Sequence, residues 1–121
     1  MGWGGQIEIK NKTTHKFKRH KKDSHHMNHW KPPHTIDPNS NKKFYVEYDT
    51  SAFDNPARDK GSVDYKSEDG NITIKINVKV QQVPFVEFSY DKTKDNISIE
   101  PDGMEIFEHN GTNKLTIREK S

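Results

Sequence analysis

The sequence predicts one all-β domain, a two-sheet antiparallel β-sandwich occupying residues 1–121. Three observations carry that reading. Apolar residues recur at every second position in several runs, most clearly Ile72, Ile74, Ile76, Val78 and Val80, the period of a strand with one buried face. Clusters of Gly, Asn, Asp and Pro divide these runs at the short spacing typical of sandwiches and barrels. No window carries a helical period of 3.6. Hydrophobic residues make up 28% of the chain and charged residues 31%, enough only for a thin core. Two small sheets, each giving one face to water, meet that constraint. The formal net charge of +2 and the segregation of the apolar residues argue against disorder.

The elements follow in order. Ile7-Glu8-Ile9-Lys10 alternates as a half-buried strand, Asn11-Lys12-Thr13-Thr14 reads as a turn, and His15 to Arg19 as a returning strand. Positions 20–42 read as irregular, with Pro32-Pro33 and the Asp37-Pro38-Asn39-Ser40 cluster breaking regular structure. Phe44, Val46 and Tyr48 share one strand face, Tyr45 and Glu47 the other. A loop through Asn55-Pro56 leads to a strand at Ser62 to Lys66, and Asp69-Gly70 marks a hairpin with positive φ at both central positions. After the long Ile72 to Val80 run, Gln81-Gln82-Val83-Pro84 interrupts. Val86, Phe88 and Tyr90 resume the alternation, Ile97 and Ile99 follow, and Pro101-Asp102-Gly103 turns. Met104-Glu105-Ile106 then leads to a second hairpin signal, Asn110-Gly111, before Leu115 and Ile117.

Charge is unevenly spread. Between Lys10 and Lys31 the only acid is Asp23, and the same stretch holds His15, His20, His25, His26 and His29. Lys16, Lys18, Arg19, Lys21 and Lys22 are therefore the candidates for contact with an anionic surface, where each cation contributes about 1 kcal/mol. The histidines would gain charge together below about pH 6.5. His25, His26 and His29, with His34 beyond them, are the metal-ligand candidates, and a loop with Pro32-Pro33 gives them no fixed geometry, so no metal site is expected. Nucleic acid would require aromatic platforms among the cations. Only Phe17 and Trp30 offer themselves, so no nucleic-acid partner is expected. Trp30 is read as half-buried or buried beside the prolines, with an amphipathic ring suited to a membrane interface. Trp3, flanked by glycines, reads as a mobile anchor. Tyr45, opposite the core face, is the best tyrosine for a surface contact.

With no cysteine, disulfides, thiolate metal sites and thiol catalysis are excluded. Nucleophile elbows, zinc-protease helices and phosphate-binding glycine loops are also missing, so no enzyme and no cofactor are expected. The N-terminus has neither the basic nor the apolar region of a signal peptide. No run approaches the roughly 20 apolar residues of a spanning helix.

Ile7-Glu8-Ile9-Lys10-Asn11-Lys12-Thr13-Thr14-His15 resembles the opening of the aegerolysin-like β-sandwich proteins. It is most similar to the roughly 14-kDa component of the two-component Bacillus insecticidal crystal toxins. Trp30, Pro33, Ile36, Lys43-Phe44-Tyr45-Val46-Glu47, Phe53, Gly61, Val63-Asp64-Tyr65, Ile72 to Ile76 and Pro84-Phe85 continue it in order, over residues 6–90. The polar Asp54 to Lys60 stretch and the histidines between Asp23 and His29 depart from the family pattern. The resemblance implies a membrane-binding component of a pore-forming or insecticidal pair. Its partners would be a membrane lipid or surface receptor and a larger toxin protein, with oligomerisation on the membrane. The protein would come from an intracellular inclusion, or be released without classical secretion, and act at the target-cell membrane. Lys16, Lys18, Arg19, Lys21, Lys22, Trp30 and Tyr45 would make the contact. The alternatives are a carbohydrate-binding module and a metal- or pH-responsive binding protein.

Overall fold

The computed structural model describes residues 2–49, 59–80, 83–92 and 96–120. The Asn55-Pro56 loop with Phe53, the Gln81-Gln82 pair and residues 93–95 lie outside them. Eleven strands are found among the described residues: β1 (Gly2–Lys12), β2 (Phe17–His25), β3 (Met27–Trp30), β4 (Thr35–Ile36), β5 (Ser40–Asp49), β6 (Lys60–Ser67), β7 (Ile72–Lys79), β8 (Phe85–Lys92), β9 (Ile97–Glu100), β10 (Gly103–Ile106) and β11 (Thr112–Glu119). The first sheet has the order β3-β5-β1-β11-β9 and the second β10-β8-β7-β6-β2-β4. All pairings are antiparallel except that of β1 with β11. The two-sheet, antiparallel-rich sandwich agrees with the sequence pattern.

The core lies between the sheets where the alternation placed it. Ile72, Ile74, Ile76, Val78 and Val80 are all buried and face Ile7, Ile9, Val46, Tyr48, Leu115 and Ile117 of the first sheet or its neighbours. Burying one such aliphatic side chain stabilises by about 1.5–3 kcal/mol. Trp30 ties the layers together. It belongs to β3 of the first sheet, packs edge-on against Phe44, and donates its indole N–H to the Ser62 carbonyl of β6 at 3.1 Å. Gly61 makes this possible, because a Cβ there would lie 2.6 Å from the indole ring.

The chain departs from the sequence reading in several places. Residues 11–16 do not close a hairpin: β1 and β2 belong to different sheets, and the segment crosses between them. The stretch 20–42 is largely strand. β2 runs on to His25 with every residue from His20 exposed, so both its faces are wet and no apolar alternation can reveal it. Trp3 is in strand register with Tyr48 rather than in a mobile tail. Asp69-Gly70 does turn β6 into β7, but only Gly70 has positive φ (76°). Gly70 N–H donates to the Ser67 carbonyl, and the Asp69 carboxylate accepts from Ser67 Oγ and Asn71 N. Asn110-Gly111 joins β10 to β11 across the sheets and makes no hairpin.

This topology creates two ends. At one lie Asn11, Phe17, Ser67 and Glu119; at the other lie His25, Lys60, Lys79, Phe85 and Ile106.

Candidate functional site

The register brings five residues into one row across the outer face of the second sheet. His25 pairs with Lys60, Lys60 with Lys79, Lys79 with Phe85, and Phe85 with Ile106. Residues directly opposite on neighbouring strands point to the same face, and strands lie about 4.8 Å apart. The row therefore presents three cationic or titratable side chains followed by two apolar ones. The next row reads Asp23, Ser62, Asn77, Glu87 and Met104. A cleft of about 190 Å³ opens between the two rows, lined by Asp23, His25, Lys60, Ser62, Asn77 and Lys79 among others.

The apolar side of this region is unusual for an exposed surface. Met104 is 65% exposed and Ile106 64%, and Val83, just before β8, is also exposed. β10 is an edge strand whose inward position holds Glu105, which accepts from Asn113 Nδ2 at 2.7 Å. An inward charge on an edge leaves the apolar residues facing out, so Met104 and Ile106 point to solvent. The strand alternates with its polar residue inside.

The residues proposed from sequence are dispersed. Lys16 lies 3.9 Å from Asp37 Oδ1 and Lys18 lies 4.0 Å from Glu68 Oε2, both near the Asn11 end. Arg19 points to the inner side of β2 and donates Nη1 to the Pro32 carbonyl at 2.8 Å. The neighbouring Pro33 carbonyl accepts from Tyr65 Oη, so the two prolines are pinned to the sheet. Burial raises the Tyr65 pKa, and the nearby Arg19 charge opposes that shift. A register shift between Arg19 and Lys21 puts Lys21 opposite Asp64 on the outer face and Lys22 opposite Val63 on the inner side, both exposed. The five basic residues thus do not form one patch. Trp30 is 6% exposed and belongs to the core.

Tyr45 is 37% exposed on the outer face of the first sheet. It donates its hydroxyl to Glu47 Oε1 at 2.8 Å, lies over Gly4, and stands 5.5 Å from the His29 ring. The Glu47 hydrogen bond, with smaller help from burial and the carboxylate charge, raises its pKa. Tyr45 and His29 are therefore on the opposite layer from the cationic row. His25 and His26 meet edge to face at 4.1 Å, with His26 at φ 57° in the tight link between β2 and β3. Among the described residues no three His, Asp or Glu side chains are grouped for a metal ion.

Lys60, Lys79, Phe85, Met104 and Ile106 were missed in the sequence. Lys60 reads as the end of a loop and Lys79 as one more polar residue on an amphipathic strand. Only the β6–β7–β8–β10 register makes them neighbours.

The structure thus defines a two-sheet sandwich with a mixed cationic and apolar end on one outer face. No protein-family model matches the chain, and no curated protein sequence does. Among solved structures, the lipid-binding protein Nakanori has the same fold, with a TM-score of 0.62 over 97% of this chain and 70% of that one, at 12% identity.

Proposed function

We propose that the protein binds membranes peripherally, docking the Lys60 end of its second sheet on an anionic lipid surface. The observation that carries this reading is the row His25, Lys60, Lys79, Phe85, Ile106, with cations abreast of the half-buried Phe85 and the exposed Ile106 on one face. A lipid bilayer offers both complements, since phosphates attract the lysines and the acyl boundary accepts Ile106, Met104 and Phe85. The shared fold with a protein described as lipid-binding supports it. The role is binding rather than catalysis. The resemblance to aegerolysin-like toxin components extends the reading. The chain would act with a larger partner protein in a pore-forming or insecticidal pair, oligomerising on the target-cell membrane after release from an inclusion or without classical secretion.

Co-sedimentation tests the proposal. The protein is expected to pellet with phosphatidylcholine vesicles containing phosphatidylserine, less so at high salt because exposed charges are screened beyond about 8 Å at physiological ionic strength. A double variant, Met104→Asp with Ile106→Asp, should remain folded and lose retention. Absence of wild-type binding to anionic vesicles at low salt would overturn the reading.

A further inference from the structure

We propose that the cleft between His25, Lys60 and Lys79 is a binding site for the phosphomonoester headgroup of a lipid. This rests on the membrane reading above and specifies the chemistry the surface selects. The argument begins with a cost. Lys60 and Lys79 stand directly opposite on adjacent strands, and His25 stands opposite Lys60 on the other side. Like charges in that arrangement are destabilising, and among the described residues no carboxylate pairs with either lysine. Elsewhere on the same sheet three lysines stand by a carboxylate, whereas Lys66 has no ion pair among the described residues. Lys75 lies 3.2 Å from Asp91, Lys21 is opposite Asp64, and Lys18, itself opposite Lys66, reaches Glu68.

The cleft supplies what a phosphate needs. Ser62 offers a hydroxyl and Asn77 an amide, both on its lining, flanked by the two ammonium groups. Of the two carboxylates in the adjoining row, Asp23 lines the cleft and accepts the Ser24 backbone N–H at 2.9 Å, and Glu87 stands opposite Asn77 outside the lining. A phosphomonoester carries a charge of about −1.5 to −2 with three acceptor oxygens, enough to take both ammonium groups and one of the neutral donors, Ser62 or Asn77. A carboxylate or a phosphodiester has only two free anionic oxygens and meets fewer of these donors. Phe85 and Ile106 continue the row beyond Lys79, where the glycerol and acyl part of a lipid would lie. That continuity favours a lipid over a free phosphate.

The experiment compares retention on phosphatidylcholine vesicles doped with phosphatidic acid or with phosphatidylserine at matched surface charge. Soluble glycerol phosphate is titrated in parallel and followed by amide shifts. Two double variants are used, Lys60→Gln with Lys79→Gln at the cleft, and Lys18→Gln with Lys66→Gln as a charge-matched control. Wild type should prefer phosphatidic acid, and the cleft variant should lose about thirtyfold in affinity, about fivefold per lysine. The control should lose less than that. The cleft variant should melt no lower than wild type, because a like-charge pair has gone. Equal retention on both lipids, or equal losses in the two variants, would overturn the headgroup site while leaving membrane binding intact. Glycerol phosphate shifts at the cleft without vesicle binding would overturn the membrane reading and assign the site to a soluble phosphate. No response to either probe would overturn both.

Discussion

The two ends of the sandwich handle polar groups in opposite ways. At the Asn11 end they are spent on one another. Asn11 is buried, donates to the carbonyls of His15 and Asp37, and accepts from Thr13 N–H and Thr13 Oγ. Glu119 reaches across to accept from Thr14 N–H and Thr14 Oγ, and lies 3.1 Å from His15 Nε2. At the Lys60 end, the outer face of the second sheet carries Lys60 opposite Lys79, with Met104 and Ile106 in solvent. A satisfied buried network fixes a fold, because each unmet group would cost about 1–3 kcal/mol. Cations and exposed apolar groups without internal complements contribute little to folding and stay available to an external partner. The difference separates the part of the molecule that holds the strands together from the part proposed to meet a surface.

That contrast can be broken from the middle outward. Ile76 lies centrally in β7 and is fully buried. Ile76→Asp should unfold both ends, since an unpaired buried charge costs more than the 5–15 kcal/mol stability of a typical domain can readily absorb. Thr73→Asp, on the outer face of the same strand, should shift stability by about 1 kcal/mol or less in urea denaturation.

Asn11→Leu should come next. It deletes four hydrogen bonds and leaves the His15 and Asp37 carbonyls without that donor. A loss of about 2–4 kcal/mol by chemical denaturation is expected, with vesicle retention of the folded fraction unchanged. Reduced retention in fully folded Asn11→Leu would show that the ends are coupled.

Acid should loosen the same end more gently. Hydrogen bonding from the Thr14 N–H is the largest influence on Glu119. It acts with the Thr14 hydroxyl and the His15 ring, against partial burial, to lower the carboxyl pKa below its ordinary 4.5. A carboxyl with a depressed folded pKa stabilises the fold fully above its unfolded value and loses that contribution as pH falls through the folded one. The melting temperature should therefore drop below about pH 4.5, and Glu119→Gln should flatten that part of the profile.

The smallest effect on stability is expected at the other end. Met104→Ser and Ile106→Ser should each change unfolding free energy by less than about 0.5 kcal/mol, as for exposed positions generally, while each weakens vesicle retention. A larger loss of stability would mean that β10 packs these residues.

The sequence alone determined much of the architecture. The alternation from Ile72 to Val80 and from Phe44 to Tyr48 fixes which side chains are inside, because a strand's side chains alternate whatever it pairs with. The Asp69-Gly70 turn was legible because its backbone demands are local. The strand character of His20 to His25 was not legible, since a strand wet on both faces leaves no periodic trace. The basic run from Lys16 to Lys22 promised a patch, yet the register shift after Arg19 and the hold of Pro32 on its guanidinium distribute those residues over different faces. The mixed end lay beyond any reading of the sequence. Lys60, Lys79, Phe85 and Ile106 are separated by 19, 6 and 21 positions in the chain and become neighbours through the pairing of β6, β7, β8 and β10. Burial preference is a property of each residue and its immediate period, so the sequence states it; adjacency across strands depends on register, which only the assembled sheets set.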